Sequence, residues 1–142
     1  KLLDVDSISI DELMRQSLGV IESEAVFPES LLYVNYEYPS RPKNLFDELI
    51  FDAQFKGYDT VFSGLVDYGH YWFKSEDDFI QTDASLSLRP RAERQPVFRA
   101  LYGLGCVTSS ELIRKGNIVG GKIGILQIDE REHASRVRNF SA

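Results

Sequence analysis

Alternating helical and strand-like segments constrain the fold of this chain more than any other feature of its sequence. Ser9-Ile10-Asp11-Glu12 has the Ser-x-x-Glu form of a capping box, and apolar residues recur after it at spacings of three and four, which predicts an amphipathic helix. Residues 31–34 predict a short buried strand, residues 44–57 a second helix and residues 59–66 a second strand. A strand, a helix and a strand with short connections predict a parallel crossover unit.

The alternation continues in the second half of the chain. Residues 71–73 and 79–81 flank a polar turn and predict a hairpin. A third helix is predicted to begin at the capping box Thr108-Ser109-Ser110-Glu111, and residues 123–128 predict a last strand. The sequence therefore predicts an α/β fold with a mostly parallel sheet, in a single domain that covers residues 1–142. Ligands of open α/β sheets bind beyond the carboxyl ends of the strands, so we expect the site at the loop 35–41 and after Val66.

Length and composition narrow the class of protein. The 142 residues, 43% of them apolar, are enough for one domain with a real core. No run of the sequence approaches the roughly 20 apolar residues of a membrane-spanning helix. The single cysteine, Cys106, excludes an internal disulfide and a multi-cysteine zinc site, and two histidines leave little for a histidine-rich metal site. These features predict a cytoplasmic protein that has no membrane partner.

The charge is distributed unevenly along the chain. Residues 1–88 carry 6 basic and 17 acidic side chains, a net of −11, whereas residues 89–142 carry 10 basic and 5 acidic ones, a net of +5. The acidic half argues against nucleic-acid binding, because contact with phosphates needs a basic face. The basic half is where a small anionic ligand would bind. Equally, the two halves could attract each other or a second subunit.

Two basic segments are candidates for holding an anion. The glycines before Lys122 would allow its backbone to approach a phosphate closely, although an ordinary turn before a strand explains them as well. Four arginines follow the predicted hairpin, and guanidinium groups suit carboxylates and phosphates because they donate two parallel hydrogen bonds. A solvated loop or a subunit contact explains this cluster equally well; its members are Arg89, Arg91, Arg94 and Arg99.

Several motifs carry a family resemblance. Val119-Gly120-Gly121-Lys122-Ile123-Gly124 is similar to a Gly-Gly-Lys-Ile/Val-Gly motif before a last core strand, residues 88–95 to an Arg-Pro-Arg-Arg-Gln segment, and residues 58–63 to a Tyr-Asp-Ser-Val-Phe-Ser strand. Tyr71-Trp72 falls where an aromatic-tryptophan pair is frequent. In this order and spacing the motifs resemble the later two-thirds of the acylneuraminate cytidylyltransferases, the CMP-sialic acid synthetases, over residues 7–131.

The resemblance implies a fold, an activity and a set of binding residues. The fold would be a three-layer, nucleotidyltransferase-like (Rossmann-like) domain with an inserted hairpin arm. The activity would join CTP to an acidic, sialic-acid-like sugar with the help of Mg²⁺ and release pyrophosphate. The candidates for binding CTP, CMP or the sugar are Asn35, Arg41, Arg89, Arg91 and Lys122. Catalytic residues stay unassigned.

The resemblance also implies a homodimer. Residues 68–104 would form a dimerisation arm, and residues 132–142 a flexible tail. The aromatic side chains of the arm suit a buried interface centre, where aromatic residues and arginine are enriched. These arm candidates are Tyr71, Trp72, Phe73 and Phe79.

Two departures from the family bear on activity. The family's glycine-rich phosphate loop would precede Lys1, so we expect the chain to be incomplete at its N-terminus. The family's Asp-x-Asp magnesium motif would fall near Ser135 and Val137, which offer no carboxylate for the ion. We therefore assign no metal site and expect no cytidylyl transfer by this chain alone.

Three interpretations stay open at this point. The chain is a fragment of an active sugar-acid cytidylyltransferase, or a degenerate, non-catalytic relative that acts as a binding or partner subunit. The third interpretation is an unrelated α/β domain with coincidental similarity.

Overall fold

A computed structural model describes residues 8–82, 90–93 and 95–128. Within these ranges the elements in chain order are α1 (Ile10–Ser23), β1 (Ser30–Tyr33), α2 (Leu45–Phe55), β2 (Thr60–Asp67), β3 (Trp72–Ser75), β4 (Asp78–Gln81), a 3-10 turn (Arg91–Glu93), β5 (Val97–Ser109), α3 (Ser110–Arg114) and β6 (Ile123–Gln127). The predicted tail 132–142 lies outside the described residues, as do Arg89, Ser135 and Val137.

The helix starts follow the capping residues closely. Ser9 caps α1, and its hydroxyl accepts a hydrogen bond of 3.2 Å from the backbone N–H of Glu12. In α3 the cap is Ser109, whose hydroxyl accepts from the N–H of Leu112, so the predicted cap was placed one residue too early. Asn44 precedes α2 in the left-handed conformation and makes no side-chain capping bond.

The main sheet has the strand order β1-β5-β2-β6. Its β1–β5 and β2–β5 pairs are antiparallel, and only β2 and β6 pair in parallel. The expectation of a mostly parallel sheet is therefore corrected to a mixed sheet. β1 and β2 run in the same direction, as the crossover predicts, but β5 lies between them and runs the opposite way. The sequence analysis did not predict β5, which is the longest described strand with 13 residues.

A large bulge bends β5 in the middle. Phe62 pairs with Cys106, but the next residue, Ser63, pairs with Leu101, so residues 102–105 are left out of the pairing register with β2. A Cβ atom at Gly103 would lie 2.7 Å from the Cβ of Asn35. The glycine thus allows the loop after β1 to approach β5 closely, and the N–H of Asn35 donates to the carbonyl of Gly103 at 2.7 Å.

Helices cover both faces of the sheet. Leu45 and Leu49 of α2 pack with Val61 of β2 in one buried cluster. Met14 and Leu18 of α1 and Ile113 at α3 form a second cluster, against which Leu31 and Tyr33 of β1 pack. Leu32, between these two residues, packs against the first cluster. This alternation is that of a strand that packs against a core on both of its faces.

Strands β3 and β4 form the predicted hairpin as a separate two-stranded sheet. Every residue of β3 is exposed. The hairpin leaves the main sheet at the end of β2, and the chain returns to that sheet at Val97, so the last residues of the predicted arm 68–104 belong to β5. In the described ranges no helix has the length and apolar character needed to cross a membrane.

Candidate functional site

The loop between β1 and α2 is held by the side chain of Arg41. Its Nε donates to the carbonyl of Leu104 (3.0 Å) and its Nη1 to the carbonyl of Tyr38 (3.0 Å). Its Nη2 donates to the carbonyls of Asn35 (2.7 Å) and Gly103 (3.3 Å). The guanidinium therefore ties both ends of the loop to the bulge of β5.

These bonds determine what Arg41 can do for a ligand. A guanidinium has five N–H donors, and the protein's own carbonyls take most of them. Burial lowers the pKa of Arg41 from its ordinary value of 12.5, which leaves the group charged at neutral pH. The predicted substrate-binding arginine thus positions the loop, and little of it is left for direct contact with an anion.

Asn35 and Tyr33 form a polar pair at the carboxyl end of β1. The Oδ1 atom of Asn35 accepts a hydrogen bond of 2.8 Å from the N–H of Glu37, which is an Asx turn. Its Nδ2 atom lies 3.5 Å from the hydroxyl of Tyr33. One side of the Asn35 amide is thus used by the loop, while the other side and the phenol can meet a hydroxyl or a carboxylate.

The end of β2 lies at the same edge of the sheet, because β1 and β2 run in the same direction. Here Asp67 accepts hydrogen bonds from the hydroxyl of Tyr71 and from the N–H of Gly69, the latter at 2.7 Å. The bond from Tyr71 is the main reason that the pKa of Asp67 falls below its ordinary value, and the same bond raises the pKa of Tyr71. Tyr71 therefore ties the start of the hairpin to β2.

Lys122 lies at the opposite edge, before β6. Its N–H donates to a carboxylate oxygen of Asp59 (2.7 Å), and its Nζ donates to the carbonyl of Lys56 (3.1 Å). The ammonium also lies 5.1 Å from the centre of the Tyr58 ring. Since Thr60 at the start of β2 pairs with Ile123 at the start of β6, this is the amino edge of the sheet. The structure thus separates Lys122 from Asn35 and Arg41.

Gly120 and Gly121, which precede Lys122, belong to the same turn. Gly121 has a φ of +62°, and a Cβ atom there would overlap the carboxylate of Asp59. Gly120 donates its N–H to the hydroxyl of Thr60 at 3.2 Å. Two of the backbone N–H groups that could meet a phosphate, those of Gly120 and Lys122, are therefore engaged with Thr60 and Asp59, which favours the interpretation as a turn before a strand.

Some of the other predicted site residues lie in the described part of the chain, and the others lie outside it. The side chain of Arg91 lies outside the description, although its backbone begins the 3-10 turn. The aromatic side chains of the hairpin are all exposed: Tyr71 at 45%, Trp72 at 57%, Phe73 at 49% and Phe79 at 67%. The described residues contain no group of three or more His, Cys, Asp or Glu side chains placed to hold a metal ion.

Sequence reasoning missed Tyr33 and the bulge of β5. The available signal was that Tyr33 lies one residue before the end of the predicted strand 31–34, because strand ends at the carboxyl edge carry ligand-binding groups in α/β sheets. No local signal marked the bulge.

The fold and the site define this protein as an α/β domain whose mixed sheet carries polar side chains at its carboxyl edge. Comparison of the sequence with models of known protein families and with curated proteins finds no match.

Proposed function

We propose that this chain is a cytidylyltransferase-like domain that binds an acidic sugar or a cytidine nucleotide at the carboxyl edge of its sheet and does not transfer a nucleotide by itself. The observation that carries the proposal is the loop after β1, which Arg41 anchors beside the polar pair of Asn35 and Tyr33. A loop already held in one conformation loses little entropy when a ligand binds. A three-layer nucleotidyltransferase fold is part of the same proposal, supported by the helices on both faces of the sheet.

Different residues would contact different parts of the ligand. Tyr33 and Asn35 contact the hydroxyl or carboxylate oxygens of the sugar. Arg89 and Arg91 supply the positive charge that a triphosphate and a sugar acid need. Arg41 and Lys122 are engaged with the protein itself, so they act on the ligand only through the backbone that they hold.

A requirement for Mg²⁺ is expected only because the sequence resembles the cytidylyltransferases. The donor sets in the described part of the chain do not fit it, since Mg²⁺ prefers several oxygen ligands including carboxylates. No step of the proposed function therefore passes through a metal ion.

A titration with a matched pair of tyrosine variants tests the binding site. CTP, CMP and N-acetylneuraminate are each titrated into the full chain by calorimetry. Tyr33→Phe removes only a hydroxyl at the carboxyl edge, and we expect it to weaken binding about tenfold, which corresponds to roughly 1.4 kcal/mol. Tyr58→Phe makes the same change at the amino edge and should leave the affinity unaltered. Equal effects of the two variants, or no saturable binding of any of the three compounds, would overturn the proposed site.

A pyrophosphate assay tests the second half of the proposal. The chain is incubated with CTP, N-acetylneuraminate and Mg²⁺, and phosphate is measured after a pyrophosphatase step. We expect no release above that of a protein-free blank. Sustained release by the chain would contradict the statement that it is inactive alone.

A non-catalytic partner subunit is the alternative, and the hairpin favours it. An isolated two-stranded sheet is marginally stable in water, yet β3–β4 exposes Trp72, Phe73 and Phe79. Pairing of two chains through this arm would bury those rings, so we propose a homodimer through the hairpin. This alternative predicts dimer formation together with no nucleotide turnover and at most weak anion binding.

A further inference from the structure

The outer side of α2 is apolar although it faces solvent. The inner side carries Leu45 and Leu49, which fill the core under the helix. On the outer side Phe51 and Phe55 stack with their ring centres 4.7 Å apart, and they are 53% and 73% exposed. A helix that is apolar on opposite sides is normally buried on both. Exposed apolar patches with a polar rim are typical of binding surfaces.

A shallow groove runs along this side of the helix. Its volume is about 430 Å³, and its lining residues are Asp47, Glu48, Phe51, Asp52, Lys56 and Leu126. Phe51 and the partly buried Leu126 supply the apolar part of the lining. Asp47 and Glu48 lie in the first turn of α2, so the groove is acidic at that end.

The free charges of the groove are negative. Lys56, the one cation among the described residues that line it, pairs with Asp52 at 3.1 Å, so these two charges cancel. Asp47 and Glu48 are exposed, and within the described ranges neither side chain has a hydrogen bond or an ion pair. Residues 1–88 carry a net charge of −11, which adds a wider field that attracts cations.

We propose that the groove along α2 binds a short amphipathic helix of a partner protein, one that carries large apolar and basic side chains on the same face. The apolar side chains pack on Phe51, Phe55 and Leu126, and the basic ones pair with Asp47 and Glu48. One turn of α2 separates Asp47 from Phe51, about 6 Å at 1.5 Å per residue. A lysine or arginine three or four residues from a leucine or phenylalanine matches this spacing on a partner helix.

Charge complementarity is the reason for choosing this occupant. A second copy of the chain would bring the same free negative charges, and like charges across an interface repel each other. An apolar helix without basic residues would cover Asp47 and Glu48 without giving them a partner, which is costly. A basic segment without apolar side chains would leave the stacked rings in water. Only a partner with both kinds of side chain fits the whole groove.

Fluorescence anisotropy with labelled model peptides tests the proposal. The probe is an amphipathic helical peptide of leucine and lysine, into which the full chain is titrated. We expect saturable binding. A serine–lysine peptide of equal charge should bind about tenfold more weakly, because it has no apolar face, and a leucine–glutamate peptide should not bind. Equal binding of the two lysine peptides would overturn the proposal, since it would show only a general attraction to an acidic protein. No saturable binding of the leucine–lysine peptide would also overturn it.

Matched variants locate the peptide on the protein. Phe51→Ser and Glu48→Lys should each raise the Kd of the leucine–lysine peptide about tenfold. Phe27→Ser and Glu24→Lys make the same changes at exposed positions between α1 and β1, and they should leave the Kd unaltered. Far-UV circular dichroism of all four variants should match that of the unaltered chain. If the groove variants bind the peptide as their controls do, the peptide binds elsewhere and the proposal is refuted.

The other possible occupants of the groove are outcomes of the same experiment. A dimer in sedimentation equilibrium that Phe51→Ser dissociates would assign the groove to a second copy of the chain. Protection of Phe51 from hydroxyl-radical labelling in the peptide-free monomer would assign the cover to another part of the same chain. Either result would contradict the proposed partner.

Discussion

The guanidinium of Arg41 donates to carbonyls on two segments that are distant in the sequence, the loop after β1 and strand β5. Neither a lysine nor a shorter side chain can reproduce this, because only the planar fork offers several donors in fixed directions. At the scale of single residues, the conformation of the candidate site therefore depends on a side chain that the ligand does not need to touch.

Replacement of this side chain should cost stability. We expect Arg41→Ala to lower the free energy of unfolding by about 2–3 kcal/mol, because partly buried carbonyls lose a charged donor. Urea denaturation followed by circular dichroism measures the change. Arg15→Ala serves as the matched control, since Arg15 is an exposed arginine that pairs with Glu12 only, and exposed pairs contribute little. Equal losses in the two variants would show that Arg41 does not anchor the loop.

Two glycines, one in a turn and one inside a helix, show how the two positions differ in the space that they leave for a side chain. Gly121 has a positive φ and is packed against Asp59, whereas Gly19, inside α1, has no atom within 4 Å of the position of a Cβ. A side chain does not fit at position 121, whereas position 19 has room for one.

Alanine at the two positions should therefore act in opposite directions. Gly121→Ala combines a left-handed backbone with a clash, and we expect it to destabilise the protein by more than about 1 kcal/mol. Gly19→Ala should stabilise it by about 0.5–1 kcal/mol, because glycine in a helix interior costs that much relative to alanine. Urea midpoints at constant slope measure both changes. Stabilisation by Gly121→Ala would refute the structure of this turn.

At the scale of elements, the hairpin carries its own spectroscopic reporter. Trp72 is the only tryptophan of the chain, and it lies in β3 with more than half of its surface exposed. If the hairpin pairs with that of a second chain, its emission should shift to shorter wavelength as the protein concentration rises, because the indole leaves water. The Phe79→Ser variant should keep the emission of an exposed indole at all concentrations. A spectrum of the unaltered chain that is independent of concentration would argue against pairing through the hairpin.

At the scale of the whole molecule, the two core clusters share the main sheet. The helix α2 packs on one side of it and α1 with α3 on the other, so neither cluster can open without exposing the sheet that both cover. Most of the sheet pairings join segments that are far apart in the chain. We therefore expect the main sheet and the helices packed on it to unfold as one cooperative unit.

Cys106 is an internal probe of this cooperativity. Its side chain is fully buried, and burial raises the pKa of the thiol to about 12. The native thiol should therefore not react with a thiol reagent at pH 8, and in urea its reactivity should rise along the same curve as the loss of circular dichroism. Because the unfolded thiol ionises near 9, the unfolded chain releases this proton first. The contribution of Cys106 to stability therefore falls as the pH rises from about 9 to 12, and a Cys106→Ala variant should lack this part of the decline. Exposure of the thiol well before the loss of circular dichroism would contradict a single unit.

Local pattern predicted most of the elements correctly. The capping serine and the apolar spacing of residues 9–21 led to α1, and alternation around a polar turn led to β3 and β4. These signals work because a helix cap and a turn involve residues three or four positions apart. For the same reason Asn35 was correctly placed in a loop at the carboxyl edge, but the bond between its amide and Tyr33 was not foreseen.

By itself, the sequence determined most of the segments that become helices and strands, although not β5, because capping and periodicity act over a few neighbouring residues. Only the tertiary structure decided where those segments go. The insertion of β5 between β1 and β2, the separation of Lys122 from Asn35 at opposite edges, and the use of Arg41 as an anchor all depend on pairings between residues about 30 to 80 positions apart. Such pairings are selected by the packing of the whole domain, since backbone groups must find a partner wherever the chain is buried.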